Sequence, residues 1–418
     1  MAREIGFVAG MDILGAYSPI GSSPALTLGQ YASMVPKDQP PVVGMIGGGQ
    51  LSRMTAEAAT ALGIGFRVLA ERPDDPAAQV VRDTRIGSHL DADAVLEFAT
   101  GCDVITFDHE QVPAKILERL IERGISVRPG PSALLHAQDK AHMRAALTAL
   151  GVPCPAWSTC SRVEEVASFG DEHGWPVVLK ATRGGYDGKG VWVVSDIAGA
   201  TRALATGQGR GTEWLVEEHI AFARELSAQV ARSPQGQAVA YPVVQTRQMN
   251  GICAEVIAPA PSLSDEHAVR AQEMALRIAG DLGVVGMLAV ELFDTGDELF
   301  VNELAMRPHN SGHWTIEGAV TSQFENHLRA VLDLPLGDPR ARAPHAVMVN
   351  ILGGDVDDLY SAYRHVFARD PELKVHLYGK AVRPGRKVGH VTLLGDDADD
   401  LLARGRHAAD YFTGNIDE

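Results

Sequence analysis

Residues 176–194 read PVVLKATRGGYDGKGVWVV. Val177 to Lys180 is an apolar run whose single charge comes at its end, and Val191 to Val194 is a second apolar run. The stretch therefore predicts two antiparallel strands joined by a long, mobile glycine loop. Gly184, Gly185, Gly188 and Gly190, with Arg183, Lys189 and the strand-end Lys180, make a flexible basic cover suited to the β and γ phosphates of a nucleotide. It is not a Walker loop, because Gly188-Lys189-Gly190 runs straight into a strand instead of opening a helix. A plain surface hairpin is the alternative; Lys180 weighs against it, since a lysine ending an apolar strand needs an anion or solvent.

Downstream, residues 214–220 (WLVEEHI) form an apolar strand that breaks into two acids, a strand edge able to offer backbone groups and a carboxylate to an adenine and its ribose. Residues 286–293 (GMLAVELF) and 299–304 (LFVNEL) predict a hairpin around Thr295-Gly296-Asp297, each strand with one acid, Glu291 and Glu303, in an apolar run. Two buried carboxylates on paired strands are costly unless they share a cation, and hard oxygen ligands suit Mg²⁺ bridging phosphates. Residues 306–314 (MRPHNSGHW) are dense in hydrogen-bond donors. His309 and His313 are four apart, but Pro308 and Gly312 oppose the helix that would pair them as zinc ligands. Arg307 and Asn310 instead suit a small planar oxyanion. After a linker-like stretch at 334–339, residues 382–390 (VRPGRKVGH) gather Arg383, Arg386 and Lys387 into a candidate phosphate pocket, with a solvated basic turn as the alternative.

Upstream, residues 42–46 (VVGMI), the turn Gly47-Gly48-Gly49-Gln50 and an Ala-rich helical pattern over 51–62 read as strand, glycine loop, helix. Glu71 ends a second strand, about 20 residues past the glycines, where a dinucleotide fold places its ribose acid. A nicotinamide dehydrogenase is therefore a rival reading, although Ser52 stands where the fingerprint needs a glycine. A third strand over 104–107 leads into Asp108 and Glu110, which face a ligand crevice or cap a helix.

The 418 residues suggest two to four domains, and the 45% hydrophobic content is ample for several cores. Lys and Arg total 37 against 53 Asp and Glu, a formal net charge of −16, which argues against nucleic acid as partner. Four cysteines without a C-x-x-C pair fit a reducing cytoplasm and no thiolate zinc site. No apolar run is long enough for a membrane span, and residues 1–40 read as a flexible extension.

With these features in this order, the chain resembles the ATP-grasp superfamily and, more narrowly, the 5-(carboxyamino)imidazole ribonucleotide synthases of purine biosynthesis. The marks are GGGQL at 47–51, GGYDGKG at 184–190, HNSGHW at 309–314 and RPGRK at 383–387. The resemblance implies an α/β and α+β architecture: a Rossmann-like domain over 41–135, a two-lobed ATP-grasp domain over 136–340 and a small closing domain over 341–418. It also implies a homodimer, Mg²⁺ or Mn²⁺, and ATP, bicarbonate and 5-aminoimidazole ribonucleotide as substrates, joined through carboxyphosphate. For ATP it points to Lys140, Lys180, Gly185, Tyr186, Asp187, Gly188, Lys189, Glu217, Glu218, His219, Ile220, Glu225, Gln248, Asn302 and Glu303. Glu291, Asn302 and Glu303 match its metal positions. Tyr186, Asp187, Lys189, Arg307, His309, Asn310 and Lys387 match its catalytic groups, and Gly49, Gln50, Leu51, Glu110, Arg383, Arg386 and Lys387 its ribonucleotide site. Lys189, Ser52 and Gln248 depart from the residues usual there. Within the superfamily the alternatives are a formate-dependent formyltransferase and a biotin-type carboxylase; outside it, the dehydrogenase and a non-catalytic nucleotide-binding subunit.

Overall fold

In the computed structural model, which describes residues 39–185, 190–207, 213–249 and 251–416, the first glycine turn closes a parallel sheet. Strands β1 (Val42–Ile46), β2 (Gly65–Ala70), β3 (Asp83–Ile86), β4 (Val104–Phe107) and β5 (Ser126–Val127) lie in the order β3-β2-β1-β4-β5. The strand at 104–107 is thus the fourth, not the third. The sequence DTRI of β3 has no apolar run because it is a half-exposed edge, and β5 is only two residues long. Of the expected extension over residues 1–40, residues 1–38 lie outside the described residues.

A second sheet contains β6 (Trp157–Cys160), β7 (Val177–Ala181), β8 (Val191–Val194) and β9 (Trp214–Glu218), all antiparallel, in the order β6-β9-β7-β8. Helices Val163–His173 and Ile197–Gly207 bury its apolar side chains around Val177, Leu179, Trp214 and Val216. The expectation of a strand edge at 214–220 is corrected here: β9 is interior, its backbone ladders shared with β6 on one side and β7 on the other.

The largest sheet takes β10 (Arg224–Arg232), β11 (Ala238–Ala240), β12 (Val244–Met249), β13 (Ile252–Ala258), β14 (Gly286–Asp294), β15 (Leu299–Ala305), β16 (His345–Leu352), β17 (Lys374–Leu377) and β18 (Lys387–Gly395). Its order is β15-β14-β10-β12-β13-β16-β18-β17, with β11 paired to β10. The C-terminal strands therefore extend the central sheet through the β13–β16 ladder, although they have their own core of Val349, Val366, Leu393 and Phe412. The segment expected as a small closing domain is thus joined to the central sheet by four register pairs between Glu255–Ala258 and Ala346–Val349.

The parallel and central sheets share a continuous core that includes Ile105, Phe107, Met143, Leu147, Leu288 and Leu304. Helix Gln323–Val331 stitches them together through His327. The His327 ring accepts from the Met287 N–H at Nδ1 (3.2 Å), which leaves the Nε2–H to meet the Thr106 hydroxyl at 2.8 Å. Burial holds this ring neutral, with a pKa lowered to about 3.

Candidate active site

The hairpin of β14 and β15 supplies the acids. Glu291 pairs with Glu303 across the ladder, and Leu292 pairs with Val301, so Asn302 is an extra residue in β15. That bulge overrides the two-residue alternation that would send Asn302 and Glu303 to opposite faces. Both reach the same cluster of cations: Lys180 donates to Asn302 Oδ1 at 3.0 Å, and Lys140 ion-pairs with Glu303.

Helix Lys140–Ala149 is placed by its cap. Asp139 accepts from the His142 N–H at 3.0 Å and ion-pairs with Arg183 at 2.7 Å, while the Lys140 N–H donates to Thr182 O at the end of β7. One turn on, Arg144 has no exposed side-chain surface. It donates to Glu217 Oε1 (2.5 Å), Val301 O (3.0 Å) and Asn302 O (2.8 Å). Lys180 meets the other oxygen of Glu217 at 2.6 Å. Arg144, Glu217, Lys180 and Asn302 thus close a ring of buried hydrogen bonds. Two cations in it share one carboxylate, leaving one positive charge in excess.

The electrostatics follow. Burial opposes the charge on Glu217, but Lys180 and Arg144 overcome it and bring its pKa to about 2. Burial pulls Lys180 below its ordinary value, with Glu217 opposing and Arg144 and Lys140 adding repulsion. Burial, then the neighbouring Glu303 and Glu225, push Glu291 up to about 7. Glu225, on β10, is also raised to about 7 by burial, against a hydrogen bond from the Gln248 backbone. A glutamate raised by burial and by neighbouring acids, beside a Glu303 lowered by Lys140 and Lys180, marks a place that wants both a cation and an anion.

The 307–314 segment borders this centre. Arg307 donates to Glu110 at 2.8 Å, so the structure pairs two residues assigned to different roles. His309 Nε2 lies 3.6 Å from Glu291, and its Nδ1 lies 2.8 Å from the Ser311 hydroxyl, which also accepts from Gln229 (2.7 Å) and meets Ser227 (2.8 Å). Gln323 braces the loop, accepting from His309 N–H (2.9 Å) and donating to His309 O (2.8 Å). Burial, with Arg307 and Lys387 nearby, lowers the His309 pKa to about 3. Asn310 is buried and, apart from the Cys253 thiol beside it, neither end of its amide has a partner among the described residues.

The first glycine turn is used differently from the dinucleotide reading. Asp108 accepts from Gly49 N–H (3.0 Å) and Ser52 N–H (2.8 Å), placing a carboxylate where a pyrophosphate would sit. A Cβ on Gly49 would stand 2.2 Å from Asp108 Oδ2, which is why glycine is needed there. The buried Ser52 hydroxyl donates to Gly47 O at 2.6 Å, and Glu71 faces His89 in an exposed pair. The side chain of Leu51 packs in the core with Met54 and Val68, so of the assigned trio it has only backbone to offer. Gln50 accepts from Lys380 at 2.6 Å, which brings the first turn to the segment before β18. Lys387 opens β18 and acts electrostatically on His309 and Glu291. Arg383 is exposed, and Arg386 donates to Ala381 O at 3.1 Å.

Other assigned residues fall into three groups. Glu217 is committed to Arg144 and Lys180, so its carboxylate is not available to a ribose. Glu218 ends β9, with its N–H bonded to Ala156 O; His219 is exposed and Ile220 half-buried just beyond the ladder. Gly185 is the last described residue before the loop, and Tyr186, Asp187, Gly188 and Lys189 lie outside the described residues. Sequence reasoning missed Arg144, Gln229, Gln323 and Lys380. Only Arg144 left a signal, standing four residues after Lys140 on one helical face.

Three family models match: a ribonucleotide synthetase preATP-grasp domain over residues 41–138, an ATP-grasp domain over 145–324 and a phosphoribosylaminoimidazole carboxylase C-terminal domain over 346–404. The N5-carboxyaminoimidazole ribonucleotide synthase of Mycobacterium tuberculosis is 54% identical over 377 residues, covering 89% of this chain and 88% of that protein. That of Corynebacterium ammoniagenes is 45% identical, covering 89% and 92%. The crystal structure of the Thermus thermophilus synthetase matches with a TM-score of 0.79 and 38% identity over 90% of this chain and 99% of that one. That of the Aspergillus clavatus synthase in complex with ADP and 5-aminoimidazole ribonucleotide matches at 0.83 and 31%, over 90% and 100%. The chain belongs to the N5-carboxyaminoimidazole ribonucleotide synthase family of ATP-grasp enzymes.

Proposed function

We propose that this chain is an ATP-dependent ligase that carboxylates the exocyclic amine of 5-aminoimidazole ribonucleotide with bicarbonate, forming ADP, phosphate and 5-(carboxyamino)imidazole ribonucleotide in purine biosynthesis. The observation that carries the reading is the bulged hairpin whose acids face Lys140 and Lys180, in a chain of this family.

The acid pair fits a magnesium ion. Glu291, Glu303 and Asn302 are hard oxygen donors, and burial together with the neighbouring Glu303 and Glu225 raises Glu291 to about 7, a cost that a shared cation would relieve. Glu291, Glu303 and Asn302 would hold Mg²⁺ or Mn²⁺, and the ion would supply charge neutralisation for phosphoryl transfer. In the protein's own residues, Lys180 and Lys140 hold phosphate oxygens in line for attack. A bicarbonate oxygen forms the new bond to the γ-phosphorus as the bond to ADP breaks. The Asn310 amide and Arg307, the latter fixed by Glu110, orient that bicarbonate. Carboxyphosphate then splits to carbon dioxide and phosphate, and the amine nitrogen forms the C–N bond while its proton passes to the phosphate beside it. His309 is neutral and serves as a hydrogen-bonding group, not as a proton donor of ordinary acidity. Gln50, Lys380 and Lys387 line the side from which the ribonucleotide phosphate enters.

The loop that contains Tyr186 to Lys189 covers the phosphates in this scheme. A homodimer in the cytoplasm completes the proposal. Cys102, Cys154, Cys160 and Cys253 are free thiols, which a reducing compartment preserves. No helix among the described residues is long and apolar enough to cross a membrane. ADP release with MgATP and bicarbonate, with and without 5-aminoimidazole ribonucleotide, tests the reading. Bicarbonate-dependent stimulation by the ribonucleotide is expected; a requirement for formate, or ADP release indifferent to the ribonucleotide, would overturn it.

A further inference from the structure

We propose that Arg144 is a positioning residue that sets where Lys180 and Asn302 meet the nucleotide phosphates and their metal ion, although it touches neither. This rests on the reading of Lys180 as a phosphate-holding group.

The geometry is specific. Arg144 is fully buried and spends its donors on three acceptors from two parts of the chain. Through Nε it fixes one oxygen of Glu217, whose other oxygen holds Lys180; Glu217 and Lys180 belong to the small four-stranded sheet. Through Nη1 and Nη2 it grips the carbonyls of Val301 and Asn302, the two residues on the bulge of β15 in the central sheet. The side chain of Asn302 then returns to Lys180. One guanidinium therefore sets both the lysine's height above the sheet and the bend that turns Asn302 toward the same point. Only a planar fork with donors on three nitrogens can do this; an ammonium has its three donors on one nitrogen and cannot span acceptors that lie apart on two sheets. The ring keeps one positive charge beyond its single carboxylate, and that charge acts on the neighbouring Glu303 at the place where a phosphate and its metal ion would meet.

The test compares Arg144→Lys, Glu217→Gln, their double variant and Lys180→Gln in the full chain, reading KM for ATP, KM for 5-aminoimidazole ribonucleotide, the Mg²⁺ concentration giving half-maximal rate, and Tm. Partners that orient a metal ligand are worth about 10- to 100-fold when removed. Arg144→Lys should accordingly raise the ATP KM and the Mg²⁺ requirement by about tenfold or more while the ribonucleotide KM stays within about twofold. The double variant should be little worse than Glu217→Gln alone, because both act along one chain of contacts. A fall in Tm with an unchanged ATP KM, or equal rises in both KM values, would make Arg144 a structural residue only and overturn the proposal. If Lys180→Gln leaves the ATP KM unchanged, the phosphate reading of Lys180 itself fails. If Lys180→Gln raises it and Arg144→Lys does not, the positioning role alone fails.

Discussion

The amides that open helix Gln50–Leu62 and the ammonium of Lys180 both lie where an anion is wanted, and they meet that need in opposite ways. At the first, Asp108 reaches across from the end of β4 and takes the Gly49 and Ser52 N–H groups, so the chain supplies its own anion. At the second, Glu217 is divided between Lys180 and Arg144, and one positive charge is left over. Glycines and a helix N-terminus describe the shape of an anion site; the balance of charge decides whether a ligand is still needed.

The largest effect expected from breaking this contrast is at the metal strand. Replacing Glu303 with Gln should cut ADP release by about 10²–10³-fold, the scale on which single groups stabilising a transition state act, with the protein still folded. Activity close to that of the parent would remove the hairpin from the mechanism.

Acid exposes the next effect. His309, His313, His327 and His390 are buried and neutral, His309 and His327 with pKa values lowered to about 3 and the other two well below the ordinary 6.5. The unfolded chain binds protons there that the folded chain refuses, so stability is complete above about pH 6.5 and falls as the pH drops toward 3. Glu217 adds to the loss below its ordinary 4.5, as the pH approaches about 2. Glu225 and Glu291, raised to about 7, act in the opposite direction between 4.5 and 7, so the scan of Tm against pH belongs in saturating Mg²⁺. The Tm should drop between pH 7 and 5, and His327→Gln should flatten that slope; an unchanged slope would show that the folded ring takes up its proton as readily as the unfolded one.

Opening the closed site is worth less. Asp108→Ala should cost about 2 kcal/mol, the loss of a helix cap bound through charge-assisted bonds, and leave the ATP KM unchanged. Millimolar phosphate should then raise the Tm of this variant more than that of the parent. Equal responses would mean that the amides are not an anion site in waiting. The smallest change is Ser52→Gly, which completes the glycine fingerprint. It should cost about 1 kcal/mol in denaturant unfolding, from the lost bond to Gly47 O and a more flexible helix start, and confer no quenching of NADH fluorescence.

Much of this architecture was legible because it is local. The apolar runs at 42–46, 177–180, 286–293 and 299–304 fall on strands, and the acids that interrupt the last two face each other across a ladder. What was not legible is what depends on distance or on irregular backbone. The polar edge strand β3 has no apolar signal, and the bulge at Asn302 breaks the alternation from which faces are read. Arg144 meets Glu217 across 73 residues and Val301 across 157, and the sequence shows only that it shares a helical face with Lys140. Nor does a two-acid strand end at 217–218 reveal that β9 is flanked on both sides, with one acid already paired.

The central claim is that the excess charge at Lys180 serves an attack by bicarbonate on the γ-phosphorus, and the fate of one oxygen atom tests it most directly. With ¹⁸O-labelled bicarbonate, MgATP and 5-aminoimidazole ribonucleotide, the phosphate released in single turnover should contain one ¹⁸O, because the attacking oxygen stays on phosphorus when carboxyphosphate splits. Phosphate free of label, alongside normal formation of the carboxylated ribonucleotide, would contradict the account.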